Sequence, residues 1–408
     1  MDPLPPSFSD RCLDFCMKFY NHIADRGCYS SAAGNLLFSP LCAEVALSMA
    51  CLGARGITRE EILSVLERQK GSALDATHQT LMHLKQNEEL LRSDYIRPAV
   101  NYKLFLSSGL FVAEQYPIKE CFVDEAKRLF DAVCRSVQFA EHPDEAALVI
   151  NGFVNEQTCG TIDNLIAAAD FSRFTRMVSV NALYFKANWH HQFLEENTTK
   201  KPFMTARGDT VMVETMHATM PCQYYKSKEL NGAKFLQVPY VEECCHAYFI
   251  LPGKKKRFSR GSSSSSLTNL QRSLTPAKLQ NAMQSLRPVW YGTIQLPKFC
   301  IQEGVNMESM LQDLGMTAAF EKDLADFTGI SDSNLYISKT MQKSYINVNE
   351  KGTEASAAVQ MTFVDACLPP DTKCKFIADR PFMFMIRHEA SDAVLFIGHV
   401  ADPSDYKS

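Results

Sequence analysis

The chain carries few of the residue patterns that support catalysis. There is no Gly-x-Ser-x-Gly elbow to expose a nucleophilic serine, no His-Glu-x-x-His to hold a zinc ion, and no phosphate-binding glycine loop. His190 and His191 are adjacent, a spacing that reads as surface rather than as a ligand pair. Fourteen cysteines are scattered without any Cys-x-x-Cys pair, and Cys244 and Cys245 are neighbours. Neither a zinc site nor a disulfide framework is suggested, and reduced thiols are expected. No metal or cofactor is expected. The sequon Asn197-Thr198-Thr199 is of a kind that arises by chance in long chains.

The informative chemistry lies in residues 349–381. From Gly352 to about Pro370 runs a long stretch of small and mixed residues between two strand-like segments. Loops of this length in a compact domain are usually functional or disordered. Thr353, Ala355, Ala357, Val359, Met361 and Phe363 occupy alternate positions and are small or apolar. The intervening Glu354, Ser356, Ala358, Gln360 and Thr362 are mostly polar. A period of two marks a half-buried strand. The residues nearest Gly352 are the smallest and would fit between closely packed strands. Two readings stand side by side: a plain exposed edge strand, or a loop able to enter a sheet as a strand.

The flanking elements frame this segment. The first third of the chain reads helical, with Cys12, Phe15, Cys16, Phe19 and Ile23 at helical spacing. Pro40 suits a helix start ahead of Leu41, Val45 and Leu47. Thr58-Arg59-Glu60-Glu61 reads as a capping box, and a further amphipathic helix is expected around Leu81–Leu91. Strands are expected over Lys103–Val112, Met177–Lys186, Lys234–Leu251, Tyr291–Phe299 and Leu335–Asn349. Phe382–Ile386 and Val394–Val400 are near-continuous apolar runs flanking a polar connection, Arg387–Ala393, which suits a hairpin covered on both faces. The fold class is α+β, with helices clustered early and large sheets later. Residues of about 253–273, with Lys254-Lys255-Lys256-Arg257, Arg260 and Ser262–Ser266, read as an exposed flexible loop.

Composition narrows the function classes. The 408 residues are 46% hydrophobic and 22% charged, enough for a large core, with a formal net charge of −4. That balance gives no reason to expect nucleic-acid binding. No stretch approaches the roughly 18 apolar residues that span a membrane. The acidic, proline-rich start Met1-Asp2-Pro3-Leu4-Pro5-Pro6 is not a secretory signal peptide. The chain is expected in the cytoplasm, or exported without a cleavable signal.

Motifs spread along the chain resemble those of the serpin family. Asn349-Glu350-Lys351-Gly352-Thr353-Glu354-Ala355 resembles the hinge of the serpin reactive loop. Asn35-Leu36-Leu37-Phe38-Ser39-Pro40 and Leu52-Gly53-Ala54-Arg55-Gly56 are similar to the family's motifs around its second helix. Asn151, Val154, Thr158, Gly160 and Ile162 resemble a helix signature. So do Asn181-Ala182-Leu183-Tyr184-Phe185-Lys186-Ala187, with Trp189 and Phe193, for the central sheet. Leu296-Pro297-Lys298-Phe299, Ala325-Asp326-Phe327-Thr328-Gly329-Ile330 and Asp379-Arg380-Pro381-Phe382 complete a set in family order from about residue 10 to Pro403. The missing signal peptide and Ile386-Arg387-His388 resemble the intracellular, ovalbumin-like branch, which includes invertebrate members.

The resemblance implies a single serpin domain over 1–408, with three β-sheets, eight or nine helices and an exposed reactive-centre loop at about 350–370. It implies a monomeric inhibitor that acts as a suicide substrate. A serine protease would attack the loop and be held as a covalent acyl-enzyme while the loop inserts into the central sheet. Cysteine proteases are a second class of target. The hinge residues would be Glu350, Gly352, Thr353, Glu354, Ala355, Ser356, Ala357 and Ala358. Counting the usual loop length from Glu350 puts the reactive bond at Ala366–Cys367, which suits elastase-like enzymes. Cys367 or Leu368 follow as the specificity residue if the two extra residues between Pro370 and Phe376 shift the register, Leu368 suiting chymotrypsin-like enzymes. The sheet-opening region would include Ser39, Cys42, Asn181 and Gln342, with Cys42 and Gln342 standing where the family usually has serine and histidine. The alternative is a non-inhibitory serpin acting as carrier, chaperone or storage protein; a hydrolase ranks last. The hinge favours inhibition, because Gly352-Thr353 and residues 355–358 contain no proline or charge to block insertion.

Overall fold

A computed structural model of the chain describes residues 8–26, 34–66, 77–84, 102–254, 266–353 and 373–404. Helices among the described residues are α1 (Phe8–Arg26), α2 (Pro40–Gly53), α3 (Gly56–Val65), α4 (77–84), α5 (Glu120–Phe130), α6 (Pro143–Gln157), α7 (Ser266–Ser273), α8 (Pro276–Gln284) and α9 (Glu308–Asp313). The strands are β1 (Leu36–Phe38), β2 (Tyr102–Ala113), β3 (Val133–Val137), β4 (Met177–Asn188), β5 (Thr199–Met204), β6 (Thr210–Lys226), β7 (Lys234–Pro239), β8 (Cys245–Leu251), β9 (Arg287–Pro297), β10 (Phe299–Asn306), β11 (Ile337–Val348), β12 (Gly352–Thr353), β13 (Lys373–Ile377), β14 (Phe382–His388) and β15 (Val394–Val400).

The central sheet has six strands in the order β10-β11-β12-β4-β2-β3. Its middle strand β4 is buried along almost its whole length because both faces are covered. Met177, Leu183, Phe185 and Ala187 join the main core, whereas Val178, Val180 and Ala182 face a second cluster with Ile150, Phe153 and Val154 of α6. Helix α2 is buried nearly all round and lies against β15 and β4. Ser39 caps it, its Oγ accepting from Cys42 N at 3.2 Å, and Pro40 follows as expected.

The other strands form a nine-stranded sheet, β1-β15-β14-β8-β7-β6-β9-β13 with β5 beside β6. Two of the three expected sheets are continuous here through β6. Its first six residues pair with β5, and its last four pair with β7. β9 lines most of its length, with a register shift between Met220 and Cys222. The sequence reading missed β6, where Pro221 interrupts the pattern.

Two local expectations are corrected. Residues 266–273 are not loop: Leu267 and Leu270 are buried on α7 and Leu274 follows at helical spacing. Of the basic run, Lys254 pairs with Asp379 at 3.3 Å, while residues 255–265 lie outside the described residues. The capping box at Thr58 does not form. α3 starts at Gly56; Thr58 Oγ1 accepts from Asp326 N at 2.9 Å and the Glu61 carboxylate accepts from Thr317 N and Ala318 N, both at 2.8 Å. Both side chains bind a later segment instead of their own helix end.

Candidate loop hinge and sheet-opening site

β11 and β4 run parallel and pair directly from Ile337↔Met177 to Tyr345↔Tyr184. Beyond that point they part, and β12 fills the notch. It is antiparallel to both neighbours, with Thr353 opposite Val348 of β11 and Ala187 of β4, and Gly352 opposite Asn188. Asn349 makes the reversal: its Oδ1 accepts from Lys351 N at 3.0 Å and Gly352 N at 3.3 Å. Only glycine fits at 352, since a Cβ there would lie 2.1 Å from the Ala187 carbonyl oxygen.

The turn at Asn349 and β12 are fastened by groups from distant elements. The hydroxyls of Thr353 and Tyr240 are hydrogen-bonded at 2.8 Å, both side chains being fully buried. Tyr240 stacks on Trp189 with ring centroids 4.5 Å apart. Burial holds the Tyr240 phenol far above its usual pKa, so it stays a neutral hydroxyl. Trp189 donates twice to the turn, from Nε1 to Asn349 O and from N to Lys351 O, each at 2.9 Å. Phe193 N donates to Glu350 O at 2.9 Å. The Glu350 carboxylate accepts from Thr198 Oγ1 at 2.8 Å and lies 3.4 Å from Lys298 Nζ, which also reaches Glu214 at 3.3 Å.

The second cluster sits where the N-terminus of α2 meets the β4–β11 seam. Gln342 Nε2 donates to Ser39 O at 2.8 Å and lies 3.4 Å from Ser344 Oγ. Cys42 contacts Ser39 and Gln342, and burial pushes its thiol up to about 12. Asn181 is the register partner of Gln342 and donates to Ser179 Oγ at 3.3 Å. Among the described residues, Gln342 Oε1 and Asn181 Oδ1 are buried without a hydrogen bond.

Ser39, Cys42, Asn181 and Gln342 are therefore brought together, as are Glu350, Gly352 and Thr353. Glu354, Ala355, Ser356, Ala357, Ala358, Ala366 and Cys367 lie outside the described residues. The sequence reading gave Tyr240, Thr198 and Glu214 no part in this site. Their partners are 113, 152 and 84 positions away, and no local pattern connects them.

Residues 10–403 match the family model described as Serpin (serine protease inhibitor). The chain belongs to the serpin family. Its sequence is 31% identical to the leukocyte elastase inhibitor of Xenopus tropicalis, over 97% of this chain and 100% of that protein. It is 32% identical to serpin B10 of Otolemur garnettii, over 99% of this chain and 100% of that protein. Among solved structures, Serpin48 from the insect Tenebrio molitor superposes with a TM-score of 0.80 at 29% identity, covering 97% of this chain and 98% of that one. Uncleaved ovalbumin superposes with a TM-score of 0.81 at 25% identity, covering 98% of this serpin and 100% of that chain. No described helix is long and apolar enough to cross a membrane.

Proposed function

We propose that this serpin inhibits serine proteases as a suicide substrate. Its reaction with a protease is stoichiometric, and the whole chain acts as one unit. The observation that carries this reading is β12. Two residues of the loop's start already form a strand antiparallel to both β4 and β11. The rest of the loop has the alternation to continue that strand once it is free to move. The protease serine attacks the loop carbonyl, which we assign to Ala366, and the amine of Cys367 leaves. The acylated loop then enters between β4 and β11, whose direct pairing has to part, and draws the protease with it. Strain on the bound enzyme misaligns its oxyanion hole and stalls deacylation.

Insertion of about a dozen residues at roughly 0.5–1.5 kcal/mol net per new backbone hydrogen bond yields on the order of 10 kcal/mol. That is enough to distort a folded protease whose own stability is about 5–15 kcal/mol. The small residue at the assigned bond, and a relative named for inhibiting leukocyte elastase, support an elastase-like target. Incubation with elastase and with chymotrypsin tests the reading. A protease–serpin band that survives denaturing electrophoresis is expected; cleavage of the loop with full recovery of protease activity would exclude it.

A further inference from the structure

β6 ends and β7 begins on two lysines that face each other. Lys226 and Lys234 are register partners in this antiparallel pair. Side chains of such partners stand on one side of the sheet with Cβ atoms roughly 5 Å apart, and like charges placed there oppose the pairing. Lys226 is exposed and Lys234 half-buried. Among the described residues neither has an ion-pair partner.

Two further cations join them. Lys254, just beyond β8, is 76% exposed and pairs with Asp379 at 3.3 Å. Arg380 carries a buried guanidinium, 7% exposed, held by the same Asp379 and by Pro252 O. Its Nε has no hydrogen bond among the described residues. All three cations act on Lys234. Burial lowers the pKa of its ammonium, Arg380, Lys226 and Lys254 lower it further, and Asp379 opposes them. Four cations and one carboxylate leave an excess of three positive charges at one spot, on a chain whose net charge is −4. Lys234 Nζ donates to Lys375 O at 2.7 Å, which uses one of its N–H groups.

A multivalent anion matches such a cluster, and the arrangement selects a compact one. The cations converge on Lys234 rather than following a groove, and the rest of the chain is net negative, which disfavours a long polyanion. Lysine ammonium groups backed by an arginine suit phosphate oxygens. We propose that Lys226, Lys234 and Lys254 bind a compact multivalent phosphate, with Arg380 supplying a fixed charge behind them. The anion removes the repulsion between the facing lysines. It thereby steadies the end of the β6–β7 pair and, through the Lys234–Lys375 bond, the five-residue strand β13 that ends the sheet. This claim stands apart from the inhibitory reading, since binding is measured without a protease.

The test titrates the full-length chain with inorganic tripolyphosphate by calorimetry, in a buffer free of phosphate and sulfate, and follows the melting temperature. Saturable one-to-one binding that raises the melting temperature is expected. Lys226→Gln, Lys234→Gln and Lys254→Gln should each weaken binding about tenfold or more. Lys322→Gln, at an exposed position outside the cluster, should not. Without ligand, Lys226→Gln should melt higher than the parent chain, because the facing charges are gone; with tripolyphosphate the order should reverse. Lys254 is followed in sequence by Lys255, Lys256 and Arg257, and replacing those three by Gln should leave most of the affinity. Vesicles containing phosphatidylinositol bisphosphate assign the source: cosedimentation that tripolyphosphate competes away places the phosphates on a lipid headgroup, and its absence places them on a soluble ligand. The proposal is overturned by no saturable binding, or by equal affinity in the parent and all three lysine variants. Tighter binding of heparin or duplex DNA than of tripolyphosphate also overturns it, as does binding lost only with Lys255, Lys256 and Arg257.

Discussion

The hydroxyl of Tyr240 is hydrogen-bonded at 2.8 Å to that of Thr353, the last residue of the short strand wedged between β4 and β11. This bond joins the start of the proposed reactive loop to the aromatic stack of Tyr240 on Trp189, which in turn holds the turn at Asn349. Tyr240→Phe keeps the stack and removes one hydroxyl, leaving the buried Thr353 hydroxyl without that partner. A loss of about 1–2 kcal/mol in the stability of the intact chain is expected, together with faster amide exchange at 352–353. Unchanged exchange there would mean that backbone pairing alone seats the hinge.

Thr353→Arg places a charge where the side chain is fully buried. Seating it in the sheet would require desolvating the guanidinium. The expected outcome is a substrate: loop cleavage continues while covalent complex formation falls. The stoichiometry of inhibition, measured by titrating active protease, checks this; a stoichiometry equal to that of the parent chain would contradict the insertion mechanism.

Lys298 joins Glu350 to Glu214 at the base of the hinge. Its side chain is 14% exposed and that of Glu350 is 8% exposed, so the pair is desolvated but not sealed. Lys298→Met leaves Glu350 with the Thr198 hydroxyl as its remaining hydrogen-bond partner among the described contacts. A loss of about 1–3 kcal/mol is expected, below that of a fully buried pair because water still reaches Lys298. The destabilised hinge should convert faster to loop-inserted or polymeric forms on warming, visible by native electrophoresis. Lys298→Arg should restore most of the loss.

Sequence motifs pointed to the turn before β12 and to the β4–β11 seam because both depend on local chain features: the Asn349 turn, the glycine demanded at 352, the Ser39-Pro40 helix start. They could not supply the groups that close the site. Tyr240 follows a strand that ends at Pro239, and nothing in its neighbourhood marks it as the partner of Thr353. Thr58 and Glu61 carried a plausible capping pattern, but tertiary contacts with residues 317–326 took both side chains. Strand β6 escaped notice because Pro221 breaks its alternation, although the register shift beside it lets the sheet continue. Leu267 and Leu270 were hidden by the serine run before them, whose composition dominated the reading of 253–273.

Cys42 and Gln342 test the seam. Among the described residues, Gln342 Oε1 accepts no hydrogen bond, and a thiol is a weak partner for what it faces. Cys42→Ser with Gln342→His should slow spontaneous conversion to the loop-inserted latent form. Because the two side chains touch, their effects should be non-additive by roughly 0.5–3 kcal/mol. A double-mutant cycle on melting and on latency rates measures this term, and additivity within error would mean that they share no network.

His399 predicts a pH dependence. Its Nε2 lies 3.0 Å from Gly34 O and its Nδ1 3.0 Å from the Tyr20 hydroxyl, the pattern of a neutral ring that donates from Nε2 and accepts at Nδ1. Burial lowers its pKa from 6.5 to about 4. The unfolded chain therefore binds the proton first as pH falls. The stability that the neutral ring contributes is complete above about pH 6.5 and is lost as pH drops toward 4, up to about 3 kcal/mol. His399→Gln should flatten the melting temperature between pH 6.5 and pH 4.5. An equally steep profile in the variant would assign the acid sensitivity elsewhere.

The central claim is that the loop enters the sheet between β4 and β11. The most direct measurement is the melting temperature of the chain before and after a single cut in the loop by a non-target protease. Insertion predicts a sharp rise, because the freed segment adds a full strand where β12 now supplies two residues. Equal melting temperatures for intact and cleaved chains would contradict it.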